Sequence, residues 1–139
     1  MTSRRPRAVV LDSWAVLAFF EGVQAGQAVS DLLGESRGKG IPLLMSVVNA
    51  GEVWYIVARE VSEQQADESV ESLRRMGVEF VDADWQLTRA AGTFKARYRM
   101  SYADCYAAAL TQARRAELVT GDKEFKEVEG DIRIRWLAE

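Results

Sequence analysis

The sequence predicts a three-layer α/β/α fold, in which helices cover both sides of a mostly parallel sheet of about five strands. Short apolar runs, such as residues 8–11, alternate along the chain with longer segments of helical periodicity. A wholly apolar run is typical of a strand that is buried on both faces of a parallel sheet. The 139 residues are 48% hydrophobic and show no linker or shift in composition. We therefore expect residues 1–139 to form a single domain around one core.

The first half of the chain contains two predicted strands and four predicted helices. The strands are residues 8–11 and 42–46, and the helices are residues 14–20, 25–35, 49–61 and the segment after Ser62. Asp12 or Ser13 caps the first helix, and the glycine-rich segment GESRGKG (residues 34–40) is predicted to be a loop after the second. Ser62 and Gln65 form a capping box for the fourth helix, which Gly77 ends.

The second half continues the alternation of strands and helices. Residues 78–81 are a predicted strand, and Asp84 caps a helix over residues 85–98. Ser101 begins an alanine-rich helix, which implies close packing against its neighbours. Residues 118–119 are a brief strand, and TGDKEF (residues 120–125) is a turn that leads into one helical turn. Residues 132–136 alternate like a final edge strand.

The composition excludes several kinds of catalytic site. The chain has no histidine, so it has neither a Ser-His-Asp nor a Cys-His triad, and it cannot cleave RNA by histidine acid–base catalysis. The single cysteine, Cys105, excludes an internal disulfide and a CxxC site. The opening segment imitates a signal peptide, but Asp12 interrupts its apolar run and no small-residue cleavage site follows. No run approaches the roughly 18 apolar residues of a membrane span, so we expect a cytoplasmic protein without membrane contact.

Four acidic residues each lie where a strand ends or a helix begins. They occur in the segments VVLDSW, VVNAGEVWY, SYADCYAAAL and LVTGDKEF and are Asp12, Glu52, Asp104 and Asp122. Parallel α/β sheets bind their ligands at the carboxyl ends of the strands, where these segments would meet. Converging carboxylates repel one another unless a cation lies among them. Oxygen ligands without histidine favour Mg²⁺ or Mn²⁺ over Zn²⁺.

Each acid also has an ordinary structural explanation, which the sequence leaves open. Asp12 fits a helix N-cap that contributes about 1 kcal/mol. Asp104 fits a first-turn acid favoured by the helix dipole, and Asp122 fits a turn. Glu52 lies beside an apolar stripe and fits a solvated flanking carboxylate.

In order, spacing and total length, these four segments together resemble the PIN-domain family, and more narrowly the toxin subunit of VapBC-type toxin–antitoxin pairs. The resemblance covers essentially the whole chain. It implies a PIN-like fold, Mg²⁺- or Mn²⁺-dependent endoribonuclease activity, a homodimer and a cognate VapB-like antitoxin that inhibits the RNA-cutting site. It also implies that the four acids are catalytic metal ligands and that two hydroxyl residues support them, namely Asp12, Glu52, Asp104 and Asp122 with Ser13 and Thr120.

Two residues depart from the commoner patterns of that family. Trp14 occupies a place that a smaller residue often holds, and Asn49 lies one turn before Glu52. Neither removes an acid, and both are expected to bear on how substrate fits.

The implied reaction is hydrolysis of an RNA phosphodiester by water that a divalent cation activates, which leaves a 5′-phosphate and a 3′-hydroxyl. An acidic pocket repels RNA, so binding is expected to need metal and basic residues at the rim. Candidates for RNA contact are Lys95, Arg97, Tyr98 and Arg99 in the segment FKARYR, with Tyr102 nearby. A solvated helix end with core tyrosines is an equally good interpretation of this segment.

A second hypothesis belongs to another functional class. A PIN-fold module could bind metal, RNA or an antitoxin without turnover, although a non-catalytic scaffold has no need of all four acids. Activity on DNA is a third hypothesis that no residue excludes.

Overall fold

Five parallel strands form one sheet in the part of the chain that the computed structural model describes, residues 6–22 and 24–137. The strands are β1 (Val9–Leu11), β2 (Leu43–Ser46), β3 (Val78–Val81), β4 (Glu117–Thr120) and β5 (Arg133–Trp136). Their order across the sheet is β3-β2-β1-β4-β5, and every neighbouring pair is parallel. The predicted fold class is confirmed, and the sheet in these residues is wholly parallel.

Helices cover both faces of this sheet. They are α1 (Ser13–Glu21), α2 (Gln24–Lys39), α3 (Val47–Glu60), α4 (Glu63–Arg75), α5 (Trp85–Arg97), α6 (Tyr102–Arg114) and a 3₁₀ helix (Lys123–Val128). Apolar residues of α1 to α4 pack on one face, whereas those of α5, α6 and the 3₁₀ helix pack on the other. Within the described residues, none of the helices combines the length and hydrophobicity that a membrane crossing requires.

The strands are apolar because both faces of the sheet are buried. In β1, Val10 faces the cluster that contains α5 and α6, whereas Val9 and Leu11 face the cluster that contains α1 to α4. All three side chains are at most 2% exposed. This alternation explains why the run around β1 contains no polar residue until the strand ends.

The predicted helix caps are present. Asp12 accepts a hydrogen bond from the Ala15 backbone amide at the start of α1, and Ser62 accepts one from Gln65 at the start of α4. Asp84 caps α5 in the same way. Gly77 follows α4 with a φ of 93°, a left-handed conformation that glycine adopts without a steric cost.

The glycine-rich segment at residues 34–40 is mostly helical, so its prediction as a loop was wrong. Helix α2 continues to Lys39, and only Gly40, with a φ of 69°, leaves it. A glycine inside a helix costs roughly 1 kcal/mol relative to alanine. Burial of Ser36 and an ion pair of 2.8 Å between Lys39 Nζ and Glu35 Oε1 accompany the extension. Tertiary packing has therefore overridden local propensity.

The edge strand β5 is joined to β4 by charge as well as by backbone pairing. Glu117 is 6% exposed and forms two ion pairs. Its Oε2 lies 3.1 Å from Arg133 Nε, and its Oε1 lies 3.0 Å from Arg135 Nε. Two arginines on alternate positions of β5 thus flank one buried carboxylate, at the opposite end of β4 from Thr120.

Candidate metal centre

Asp12 is fixed at the carboxyl end of the central strand by two hydrogen bonds. Its Oδ1 accepts from the Ala15 amide at 2.8 Å, and its Oδ2 accepts from the Thr120 hydroxyl at 2.5 Å. Thr120 ends β4, which pairs directly with β1. The sheet register therefore brings a hydroxyl that is 108 positions away onto the first acid. Both side chains are almost fully buried.

Glu52 reaches the same region from α3. The Ser13 hydroxyl, at the start of α1, donates a hydrogen bond to Glu52 Oε1. Ser13 immediately follows Asp12 in the chain, so this bond joins the second acid to the first segment. The Glu52 side chain is half-buried, as a carboxylate at the mouth of a pocket should be.

Asp104 lies in the first turn of α6, where it is 5% exposed. Its backbone amide donates to the Ser101 hydroxyl at 3.1 Å, so Ser101 is the helix cap, as predicted. The fully buried Asn49 of α3 donates from Nδ2 to the Ala103 carbonyl at 3.1 Å. This bond fixes the start of α6 against α3, the helix that carries Glu52.

Asp122, in the turn after β4, is the fourth predicted acid, and Glu124 lies close to it. The Asp122 amide donates to the Thr120 hydroxyl at 3.0 Å, and the Glu124 amide donates to Asp122 Oδ1 at 3.0 Å. Each of Asp104, Asp122 and Glu124 offers one oxygen, and these oxygens lie within 4.8 Å of one another. Sequence reasoning missed Glu124. No sequence signal identified it, because its position depends on the path of the turn after β4.

Burial and mutual repulsion raise the pKa values of two of these acids. Desolvation raises the pKa of Asp12 to about 7, and the negative charges of Asp122 and Glu52 add to it, while the bonds from Thr120 and Ala15 oppose it. Desolvation also raises the pKa of Asp104 to about 8, followed by the charge of Asp122 and a hydrogen bond with the Glu124 carboxyl. The charge of Asp12 adds to this shift, so the acids act on one another.

This arrangement fits a divalent cation. The charges that raise the pKa values of Asp12 and Asp104 are those of the neighbouring acids. The acids provide hard oxygen ligands from several elements, which is the donor set that Mg²⁺ and Mn²⁺ prefer. A bound cation would offset the mutual repulsion of these carboxylates. Asp104, Asp122 and Glu124 form its closest group of possible ligands, with Asp12 and Glu52 beside them.

Trp14 lies against the turn that carries Asp122. A Cβ atom added to Gly121 would lie 2.3 Å from Trp14 Cη2, 2.5 Å from Cζ3 and 2.6 Å from Cζ2. These three atoms are consecutive in the six-membered ring of the indole. The ring therefore rests on the glycine backbone between Thr120 and Asp122.

Two of the predicted RNA-contact residues have structural partners. Lys95 Nζ donates to the Met100 carbonyl at 2.6 Å and so holds the connection between α5 and α6. The Tyr98 hydroxyl donates to Asp131 Oδ2 at 2.6 Å, which raises the pKa of Tyr98, and its ring lies 6.2 Å from that of Phe94. Arg97 and Arg99 are exposed beside them. These contacts favour a structural role for Lys95 and Tyr98, whereas the two arginines are open to solvent.

Tyr102 is the exposed aromatic residue of this region. It is 48% exposed at the first position of α6, two residues before Asp104, and its ring meets Tyr106 edge-on at 5.1 Å. Its role in RNA contact stays a prediction.

Comparison with known proteins identifies the family to which this arrangement corresponds. The chain matches the family model of the PIN domain over residues 9–131. Among solved structures, it is similar to a chain of VapBC2 from Rickettsia felis bound to a DNA fragment from their promoter, with a TM-score of 0.76, 16% identity, and coverage of 94% of this chain and 99% of that one. A search of curated protein sequences found no match.

Two further structures have the same fold. For DNA-bound VapBC from Salmonella typhimurium, the TM-score is 0.70 and the identity 19%, with 92% of this chain and 96% of that one covered. For VapC20 from Mycobacterium tuberculosis, which is described as a sarcin–ricin loop cleaving toxin, the TM-score is 0.71 and the identity 14%, with 87% and 95% covered. At these identities, the likeness is one of fold.

Proposed function

Because the chain belongs to the PIN domain family, we propose that it is a metal-dependent endoribonuclease and the toxin of a toxin–antitoxin pair. The observation that carries the proposal is the convergence of Asp12, Glu52, Asp104 and Asp122 from four distant segments. Burying several like charges together is costly unless a cation compensates them. A silent binding module has no need of this arrangement.

Each acid has a distinct contribution to the proposed site. Asp12 is the most rigid ligand, because Thr120 and the Ala15 amide hold both of its oxygens. Asp104 and Asp122 face each other with Glu124, so this group would hold the cation from the other side. Ser13 orients Glu52 at the half-buried mouth.

Bound Mg²⁺ or Mn²⁺ would lower the pKa of water and stabilise negative charge on the scissile phosphate, which replaces histidine acid–base chemistry in this histidine-free chain. The protein positions the phosphate and the water relative to Asp12 and Asp104. Arg97 and Arg99, both exposed, are the rim cations that we propose for the RNA backbone. Hydrolysis by water would leave a 5′-phosphate and a 3′-hydroxyl.

The decisive experiment is cleavage of RNA by purified protein that is free of any antitoxin. The protein with Mg²⁺ or Mn²⁺ should cut RNA to products with 5′-phosphates, and a chelator should stop the reaction. Asp12→Asn and Asp104→Asn should each lower the rate on the order of a hundredfold or more, because each removes a charged ligand. The matched control is Asp31→Asn on α2, whose exposed carboxylate accepts only from Gln27 and should not matter.

Each alternative outcome has a clear meaning. Wild-type rates in both active-site variants would disprove this mechanism, and RNA binding without turnover would favour the non-catalytic module. Parallel digestion of a DNA oligonucleotide of the same sequence distinguishes a ribonuclease from a DNA-cutting enzyme.

We also propose an antitoxin partner and a homodimer. Several structures of the same fold are toxin–antitoxin complexes, including that from Klebsiella pneumoniae. This chain has a groove of about 360 Å³ between α1, α3 and α4, in which four apolar residues, Leu17, Phe20, Val57 and Val61, lie beside Glu21, Glu60, Gln65 and Ser69. Val61 is 70% exposed there, which suits contact with a partner.

The adjoining reading frame tests the partner, since it should encode a short DNA-binding protein that co-purifies with this chain. The mass of the purified chain in solution tests the homodimer.

A further inference from the structure

The Trp14 ring packs on the turn that carries Asp122, and the interatomic distances show which side of the ring makes the contact. The Cβ position on Gly121 is almost equally distant from three consecutive ring atoms. An approach along the ring plane would make the two neighbours of Cη2 clearly more distant than Cη2 itself. The Gly121 backbone therefore packs on the face of the six-membered ring, and the opposite face points away from the turn.

Within the described residues, Trp14 is not among the residues of either hydrophobic cluster, whereas Trp136 packs against one of them. The indole Nε1 of Trp14 donates no hydrogen bond in this part of the chain, whereas Trp54 donates to Asp67 and Trp136 to Glu129. The side chain is partly exposed. A large aromatic residue that serves neither the core nor a hydrogen bond is available for a ligand.

The position of the ring specifies what that ligand is. Trp14 follows Asp12 by two residues, and Gly121 lies between Thr120 and Asp122, so the ring lies against the turn that carries one acid and close in sequence to another. If a scissile phosphate lies at the acids, the nearest flat groups of the same strand are its adjoining bases. Unpaired bases stack on aromatic faces, and stacking requires no positive charge in a pocket that already repels phosphate.

We propose that Trp14 is a specificity-determining residue that stacks on one unpaired nucleobase next to the cleaved bond. This inference rests on the proposed nuclease function and adds to it the requirement for an unpaired, intact base at one position. A Cβ at position 121 would collide with the ring in this orientation, so the glycine allows the ring to pack on the turn. The enzyme would therefore prefer loops and single strands to duplexes.

The test is a double-mutant cycle between the ring and the base. Short fluorescent single-stranded RNAs that differ only in the place of one abasic position are bound to the protein with Ca²⁺ in place of Mg²⁺. Wild-type protein should lose about 5- to 100-fold in affinity when one particular base is missing. Trp14→Leu should bind intact RNA more weakly by a similar factor and should lose the dependence on that base.

Conservative and matched controls separate stacking from a structural role. Trp14→Phe keeps a ring and should retain most of the dependence on the base. Trp85→Leu removes a tryptophan that is 74% exposed at the start of α5, and it should leave the dependence unchanged. Mn²⁺ affinity, measured by titration without RNA, should be the same in wild type and Trp14→Leu, because the ring offers no ligand.

Two results would overturn the proposal. In the first, Trp14→Leu bound to the abasic RNA would lose affinity by the product of the two separate losses, so that the ring and the base would show no coupling. In the second, Trp14→Phe would behave like Trp14→Leu although both fold. Absence of cleavage with Mg²⁺ would instead count against the nuclease function, and the binding cycle with Ca²⁺ would still decide whether Trp14 stacks on a base.

Discussion

At the scale of single residues, Thr120 links two of the four acids. Its hydroxyl donates to Asp12 Oδ2 and accepts from the Asp122 amide. One side chain therefore orients the acid at the end of β1 and the turn that carries another. Such supporting groups typically alter metal affinity or activity about 10- to 100-fold when removed.

Replacing Thr120 by valine tests this role, because valine keeps the shape and removes both hydrogen bonds. We expect activity to fall about 10- to 100-fold. The pKa of Asp12 should rise further, because the bond from Thr120 lowers it. Cleavage rates measured across a pH series should show that activity rises at a higher pH in this variant than in wild type. Thr120→Ser keeps the hydroxyl and should retain activity, and an equal loss in both variants would contradict the prediction.

At the scale of elements, α1 and α2 approach each other at Gly26. A Cβ there would lie 2.2 Å from the Ala18 carbonyl oxygen and 3.1 Å from the Phe19 Cα. Both are backbone atoms, which cannot move aside without moving α1. The close packing of α1 on α2 therefore requires a residue without a side chain at position 26.

Gly26→Ala should therefore destabilise the protein by about 1–3 kcal/mol, since it overpacks a backbone contact. Gly34→Ala in the same helix is the matched control. No atom lies within 4 Å of its added Cβ. Alanine favours a helix over glycine by roughly 1 kcal/mol, so this variant should be as stable as wild type or more stable. Chemical denaturation of both proteins measures the difference, and equal stability would refute the tight contact.

The sequence predicted the elements well where local signals and packing agree. Periodicity and caps located Ser62, Asp84 and Ser101 at helix starts because each accepts a bond from a backbone amide a few residues later. Glycines at residues 34–40 misled the prediction, since their propensity favours a loop whereas α2 continues to Lys39 with Ser36 buried. The acids were found from places where a predicted strand ends or a predicted helix begins, although Glu52 lies in the second turn of α3. Neither Glu124 nor the contact between Trp14 and Gly121 could be predicted, because both depend on the path of a turn.

At the scale of the whole molecule, the acid cluster makes stability depend on pH. The pKa of Asp12 is about 7 and that of Asp104 about 8, against ordinary values of 3.8. The folded protein thus binds these protons more tightly than the unfolded chain does. Their contribution to stability is complete below the ordinary value and is lost as pH rises through 7 and 8.

Metal-free protein should therefore have a lower free energy of unfolding near pH 8.5 than near pH 5.5, by on the order of a few kcal/mol. Excess Mg²⁺ should restore stability mainly at the higher pH, because the cation binds the deprotonated carboxylates. Denaturation at both pH values, with chelator or Mg²⁺, measures this effect. Asp104→Asn removes one titrating group and should flatten the pH dependence. A pH dependence as steep as that of wild type would show that other groups cause it.

The strand order has a consequence for the protein during its own synthesis. Of the five strands that the structure describes, β1 is made first and lies at the centre of the sheet, and its neighbour β4 is made much later. Thr120, which orients Asp12, is translated 108 positions after it. A nascent chain that stalls before β4 has neither that hydroxyl nor Asp122. The proposed cutting centre therefore cannot assemble before translation has passed that strand.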